Sequence, residues 1–412
     1  MHSGILPASS GTAQTGRMHP RRPRRATLLA LAAALVLSGC SMGGSQPRGS
    51  AATPSGSASP ATAAATTTAA PPATSATSPT RSLPSGVPGT PRDVVTGLDV
   101  PWSIAVLPDG SALLSLRDEA RILRVRTDGT KTPVAAPGPG GKIPDVAPSG
   151  EGGLLGLAVS PDDATQVFVY ATTAQDNRVT RWTLQGDALT DPRLLLSGIP
   201  KGVTHNGGRL AFGPDGDLYV TTGDAGNGAN SQNPSSLGGK ILRITADGAP
   251  APGNPTPGSP VWSLGHRNVQ GIGWAADGTM YASEFGQNRL DELNRIVPGG
   301  NYGWPEVEGP GGGGRFINPL VTWPTDEASP SGLAVTADAV YLAALRGERL
   351  WRVPITGPGT VGTPTAYLQG TLGRLRNVVL NPDRTGLWVL TGNTFRGSPR
   401  AGDDRLVDVP LG

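Results

Sequence analysis

Val203–Asp224 reads VTHNGGRLAFGPDGDLYVTTGD, and its second half decides the fold. LAFGPDGDLYVTT is an apolar run, a Pro-Asp-Gly turn and a second apolar run, the pattern of a β-hairpin. The first half sets His205 on a Gly-flanked loop just before that hairpin. Related units start at Trp102 (WSIAVLPDGSALLSL), Gly153 (GLLGLAVSPDDATQVFVYA), Gly208, Val269 (VQGIGWAADGTMYASE), Ser331 (SGLAVTADAVYLAAL) and Leu375 (LRNVVLNPDRTGLWVL). A polar loop follows each hairpin, and then a third strand rich in Arg and Leu/Ile/Val. Spacings of roughly 40–60 residues are those of propeller blades, and radial closure hides most sheet edges. The expected fold is therefore all-β, a six-bladed β-propeller of four-stranded antiparallel blades. A β-sandwich fits Asp-centred turns in register poorly. Val94-Val95 are placed to give the last blade an outer strand and so close the ring.

Composition supports this reading. The chain has 412 residues with 60 Gly, 41 Pro and one Cys, and no long stretch carries apolar residues at helical spacing. Net charge is +3, but Arg17, Arg21, Arg22, Arg24 and Arg25 all precede Cys40, where no acid occurs. Without those five, 34 Lys+Arg become 29 against 31 Asp+Glu, a charge of −2. That balance, with no basic run, gives no support to nucleic-acid binding.

The N-terminal 40 residues read as a signal peptide: Arg21–Arg25, then ATLLALAAALVLS over Ala26–Ser38, too short for a comfortable span. The run ends Leu37-Ser38-Gly39-Cys40, which resembles a bacterial lipobox and implies lipidation of Cys40. Arginine pairs leave both the general and the twin-arginine export routes open, and Met18 is a second candidate start. Residues 41–90 are Ser, Thr, Ala, Pro and Gly, the composition of a disordered tether. The folded domain is expected over 91–412, outside the cytoplasm and anchored by lipid alone. Two insertions interrupt the repeat, Ala225–Leu237 and Pro298–Pro330, and long loops in compact β domains are commonly functional.

Chemistry concentrates in few residues. His205 and His266 are the two histidines beyond the N-terminal segment, and imidazole is the side chain that titrates near neutral pH. Arg267, Arg346, Arg374 and Arg376 fall at hairpin ends or blade starts, where loops converge on one mouth of a propeller. Alternation along an extended chain turns Arg374 and Arg376 the same way. Such a set suits a multiply anionic ligand; the competing reading pairs these arginines with acids such as Asp118, Glu119 or Asp403.

Gly150–Ala158 (GEGGLLGLA), His205–Leu210 (HNGGRL), Gly265–Gly271 (GHRNVQG), Ser283–Asn288 (SEFGQN) with Asp291-Glu292, Gly299–Pro305 (GGNYGWP), Trp323–Thr325 and Arg374–Arg376 occur in that order. They resemble the soluble pyrroloquinoline-quinone (PQQ) sugar dehydrogenases, the glucose/sorbosone dehydrogenase family. The resemblance implies a six-bladed propeller that oxidises aldoses to lactones with PQQ and calcium. It implies His205 as general base, with Glu151 near the reacting hydroxyl. Arg267, Asn268, Arg346, Arg374 and Arg376 become cofactor partners, Trp323 lies against the cofactor plane and Thr325 meets a carboxylate. The carbonyls of Gly286 and Gln287 become the protein ligands of calcium. The glucose enzymes carry Gln, Lys, Pro and an acid where this chain has Glu151, Arg346, Gln287 and Gly392, which leaves the sugar open. The expected partners are an aldose and a separate electron acceptor, the expected state a monomer. The rival functions are a non-catalytic surface binding module and a calcium-dependent lactonase.

Overall fold

The computed structural model describes residues 83–412. The signal peptide, Cys40 and the tether as far as residue 82 lie outside the described residues. Among those described, helix is confined to one turn at Ala229–Gln232 and two short 3-10 turns; the rest of the regular structure is strand. The strands form six antiparallel sheets, and their inner three strands follow chain order.

Blade one contains Pro101–Val106, Ala112–Leu116, Arg121–Val125 and Lys131–Val134; blade two contains Leu154–Val159, Gln166–Thr172, Asn177–Gln185 and Ala188–Ile199. Blade three is Leu210–Phe212, Leu218–Thr221, Lys240–Ile244 and Val261–Leu264, and blade four Val269–Trp274, Met280–Glu284, Leu290–Ile296 and Val321–Pro324. Blade five has Pro330–Val335, Ala339–Ala344 and Arg349–Gly357, with two short outer strands, Thr360–Val361 and Thr365–Tyr367, both on Arg349–Gly357. Blade six is Leu375–Leu380, Gly386–Thr391 and Leu406–Pro410, completed by Arg92–Val95 from the other end of the domain. The closure expected of Val94-Val95 is therefore present.

The Asp-centred turns have a local cause. In five blades the carboxylate accepts the backbone N–H two residues on, so the side chain closes the turn itself. Asp109 serves Ser111, Asp163 serves Thr165, Asp215 serves Asp217, Asp277 serves Thr279 and Asp383 serves Thr385. Strand faces alternate, so each blade buries side chains against both neighbours. The apolar core accordingly falls into six clusters, one between each pair of adjacent blades.

The start of the domain differs from expectation. Pro84–Gly89, read as tether, are bound to blades five and six. Ala337 N–H donates to the Pro84 carbonyl (2.8 Å), Tyr341 Oη to the Gly86 carbonyl (2.6 Å) and Gly89 N–H to the Pro410 carbonyl (2.8 Å). So short a segment, rich in Pro and Gly, shows no alternation by which sequence could assign it to a fold.

Candidate active site

Two kinds of position converge on one mouth: the residues that begin the innermost strand of a blade, and those that follow its second strand. They line a cavity of about 210 Å³. Glu151, His205, Arg267, Asn268 and Ser329 stand just before an innermost strand; Arg117, Phe285, Gly286, Leu345, Phe395 and Arg396 follow a second strand. Trp102, Gln270, Arg374 and Arg376 complete the wall from the innermost strands themselves or their starts. Radial closure makes neighbours of residues as far apart in sequence as Glu151 and Arg396.

His205 sits at φ +58, in the left-handed region. Three contacts hold it there. Its N–H donates to Glu151 Oε2 (3.0 Å), its carbonyl accepts the Ala225 N–H (3.1 Å), and its Nδ1 lies 2.7 Å from Asp224 Oδ1. Asp224 is buried and also accepts the Gly226 N–H (2.7 Å) and the Trp304 indole N–H (2.8 Å). Burial pushes its carboxyl up, but the His205 contact and these two donors outweigh burial and hold it below the usual carboxylate value. An ionised Asp224 only accepts, so it assigns the proton to Nδ1 and leaves Nε2 with a lone pair. Composition gave no reason to single out Asp224 among 31 acids; its signal was its place straight after the second strand of the His205 hairpin.

His266 has a different task. It is fully buried, with Nδ1 2.8 Å from Glu284 Oε2, Nε2 2.8 Å from Ser263 Oγ and its ring stacked on Tyr302. Glu284 also accepts the Arg267 N–H, so this network fixes the backbone that presents Arg267 and Asn268. Asn268 Oδ1 in turn accepts the Gly207 N–H (3.0 Å), two residues from His205. The two insertions meet here. Gln232 and Asn301 exchange side-chain amide bonds (2.8 and 3.0 Å), and Trp304 reaches Asp224 from the second insertion.

The four arginines make no direct ion pair with an acid. Among the described residues, none of Arg267, Arg346, Arg374 and Arg376 takes part in an ion pair, whereas Arg117 pairs with Asp118, Arg121 with Glu119 and Arg405 with Asp403. Arg376 is buried and donates to Gln270 Oε1 (2.9 Å); burial lowers its pKa to about 9. The Nε atoms of Arg267 and Arg374 are buried without a partner. Orphaned cationic donors at a cavity wall are costly unless an anion completes them. A multiply anionic ligand fits this donor set.

Three expected positions fall elsewhere. Trp323 is on the outermost strand of blade four, buried between blades four and five with its ring 5.6 Å from that of Trp351. It does not line the cavity, and neither does Thr325, one residue beyond that strand. Arg346 is exposed and outside the lining, near enough to depress the pKa of Arg374 beyond the larger effect of burial. Thr325 nonetheless adjoins the cavity: Ser329, which lines it, donates from Oγ to the Thr325 carbonyl (3.3 Å).

Around Gly286 the loop is tightly held. Glu308 Oε1 accepts the N–H groups of Gln287, Asn288, Arg289 and Leu290, and Asp291 accepts those of Gly286 and Ser329. The Gly286 carbonyl lies 2.5 Å from Arg267 Nη1. Gln287 is exposed and lines an adjoining groove with Trp304 and Arg289. No group of three or more His, Cys, Asp or Glu side chains among the described residues is arranged to hold a metal.

Comparison with known proteins agrees with this geometry. A family model described as glucose/sorbosone dehydrogenase matches residues 98–396. The aldose sugar dehydrogenase YliI of Escherichia coli is 32% identical over 348 residues, 74% of this chain and 91% of that protein. The quinoprotein glucose dehydrogenase B of Acinetobacter calcoaceticus is 31% identical over 254 residues, 52% of each. Among solved structures, the PQQ-bound aldose sugar dehydrogenase of Streptomyces coelicolor is 51% identical with a TM-score of 0.76, over 80% of this chain and all of that one.

Proposed function

The chain belongs to the glucose/sorbosone dehydrogenase family, and from that premise we propose that it oxidises aldoses at the anomeric carbon to lactones, with PQQ as hydride acceptor. The observation that carries this is the His205–Asp224 pair, at 2.7 Å, beside a wall on which Arg267, Arg374 and Arg376 form no ion pair with an acid.

His205 Nε2 is the base. Asp224 keeps Nδ1 protonated, so Nε2 can take the proton of the anomeric hydroxyl and the imidazolium formed is stabilised by the ionised Asp224. Glu151 is fixed between the His205 N–H and Arg396 Nη1 (2.7 Å), where its carboxylate can accept a sugar hydroxyl next to the reacting one. Arg267, Arg374 and Arg376 would hold the carboxylates of the quinone, which when bound supplies the acceptor for the two electrons leaving carbon as hydride.

We assign calcium to the carbonyls of Gly286 and Gln287. Its shell is built of oxygen ligands. The Gly286 carbonyl faces a cationic donor, Arg267 Nη1, at 2.5 Å, so its oxygen stands in a place that suits positive charge. A metal held there would supply Lewis acidity. The electron acceptor is a separate protein or small molecule, and Cys40 carries the lipid that holds the domain outside the cytoplasm.

Titration of the domain with PQQ, with and without calcium and chelator, tests the reading through the quinone spectrum. Tight binding that chelation abolishes is expected. Replacing Arg374 and Arg376 together by Ala should weaken it at least tenfold, since each charge-assisted hydrogen bond is worth about 1.5–3 kcal/mol. No spectral change under any condition would overturn the proposal.

A further inference from the structure

A second cationic layer lies behind the cavity floor. Arg209, 6% exposed, stands immediately before the innermost strand of blade three. Its Nε donates to the Gln270 carbonyl (2.8 Å) and its Nη1 to Ser103 Oγ (3.2 Å), while Nη2 has no partner. The guanidinium lies over the Trp102 ring, 4.3 Å from its centroid. None of these partners is an acid. Gln270 is gripped twice: its carbonyl by Arg209 and its side-chain oxygen by Arg376. Trp102, Gln270 and Arg376 line the cavity, and Arg209 does not.

A buried guanidinium without a counter-ion is destabilising unless something near it gains from the field. Burial lowers the pKa of Arg209 to about 9, so at neutral pH the charge is present. Packing alone would be served as well by an apolar side chain against Trp102.

We propose that Arg209 is a positioning residue for electron acceptance: it locks Gln270 and Arg376 beneath the ligand and adds an uncompensated positive charge that favours the reduced quinone over the oxidised one. The inference rests on the quinone reading above. Charge balance sets its sign. When the sugar loses its hydroxyl proton to His205 and a hydride to the quinone, His205 gains one positive charge and the quinone one negative charge, so the cavity's net charge is unchanged and the negative charge is local to the quinone. A cation behind the floor stabilises that charge more than it stabilises the starting state.

The test is the midpoint potential of the quinone bound to wild-type, Arg209→Gln, Arg209→Lys and Gln270→Glu proteins, read by spectroelectrochemical titration. Arg209→Gln should bind reduced relative to oxidised quinone about tenfold less well, which for a two-electron couple is a fall of about 30 mV. Arg209→Lys keeps the charge and should restore most of the loss. Gln270→Glu keeps the shape and sets a carboxylate against Arg376 in the cavity wall, so it should lower the midpoint even if Arg209→Gln fails to fold. Quinone bound by both neutralising variants at the wild-type midpoint would overturn the inference and leave the quinone reading intact. A wild-type protein that binds no quinone would remove that reading, and this one with it.

Discussion

At the scale of the residue, the site is a proton acceptor held in a defined tautomer. Alanine at 205 removes the base, and general-base catalysis contributes about 10²–10⁴-fold. His205→Ala should therefore lower kcat by at least that range while the PQQ titration curve stays within twofold of wild type. A variant that turned over normally would show the base to lie elsewhere. Asp224→Asn is the finer test. Asn can offer an N–H to Nδ1, which favours the proton on Nε2 and removes the lone pair from the cavity side. We expect kcat to fall with little change in quinone affinity, and alkaline pH to leave the defect in place because the tautomer, not the charge, is wrong. Restoration of wild-type kcat at high pH would refute that account.

At the scale of the element, loop ends approach so closely that their side chains are constrained. Gly223 closes the second strand of the His205 hairpin, and a Cβ there would lie 2.0 Å from the His205 carbonyl. Gly223→Ala should push His205 out of register and cost catalysis more than it costs the melting temperature; equal loss of both would indicate general unfolding of the blade instead. The third strand of blade four gives a pH signature. Glu292 is buried, and burial together with the neighbouring Glu284 carboxylate pushes its pKa up to about 8. The folded state thus holds a proton that the unfolded chain releases near 4.5, so between about pH 4.5 and 8 stability falls as pH rises. In metal-free protein, Glu292→Gln should flatten the decline of melting temperature across that window. An unchanged slope would mean that Glu292 ionises in the fold as freely as outside it.

At the scale of the whole molecule, ring closure joins residues more than 300 apart in sequence. Arg92–Val95 pair with Leu406–Pro410, and Pro84–Gly89 add bonds to Ala337, Tyr341 and Pro410. A chain starting at residue 97 should melt lower and less cooperatively than one starting at 83, because blade six would expose an unpaired strand edge. One starting at Pro91 should fall between them. Identical melting of all three would show that closure contributes nothing to stability.

Much of this was legible in the sequence because it is encoded locally. Hairpins need only alternation and a turn residue whose carboxylate bonds the backbone two positions on, so six Asp-marked or Asp-like units were enough to count blades and to place the closing strand. His205, Glu151, Arg267, Asn268, Arg374 and Arg376 lie at blade starts, and the repeat itself carries them to the mouth. The partners of those residues were decided only by tertiary structure. Asp224 holds His205 together with a tryptophan 80 positions away, Arg396 meets Glu151 across 245 positions, and Arg209 stands behind the floor through Gln270. Trp323 and Thr325 stand on and just beyond the outermost strand of blade four, outside the cavity lining. Local rules set what each stretch becomes; radial closure of six blades, which depends on contacts between stretches far apart in the chain, sets which side chains meet and which charges remain without a counter-ion.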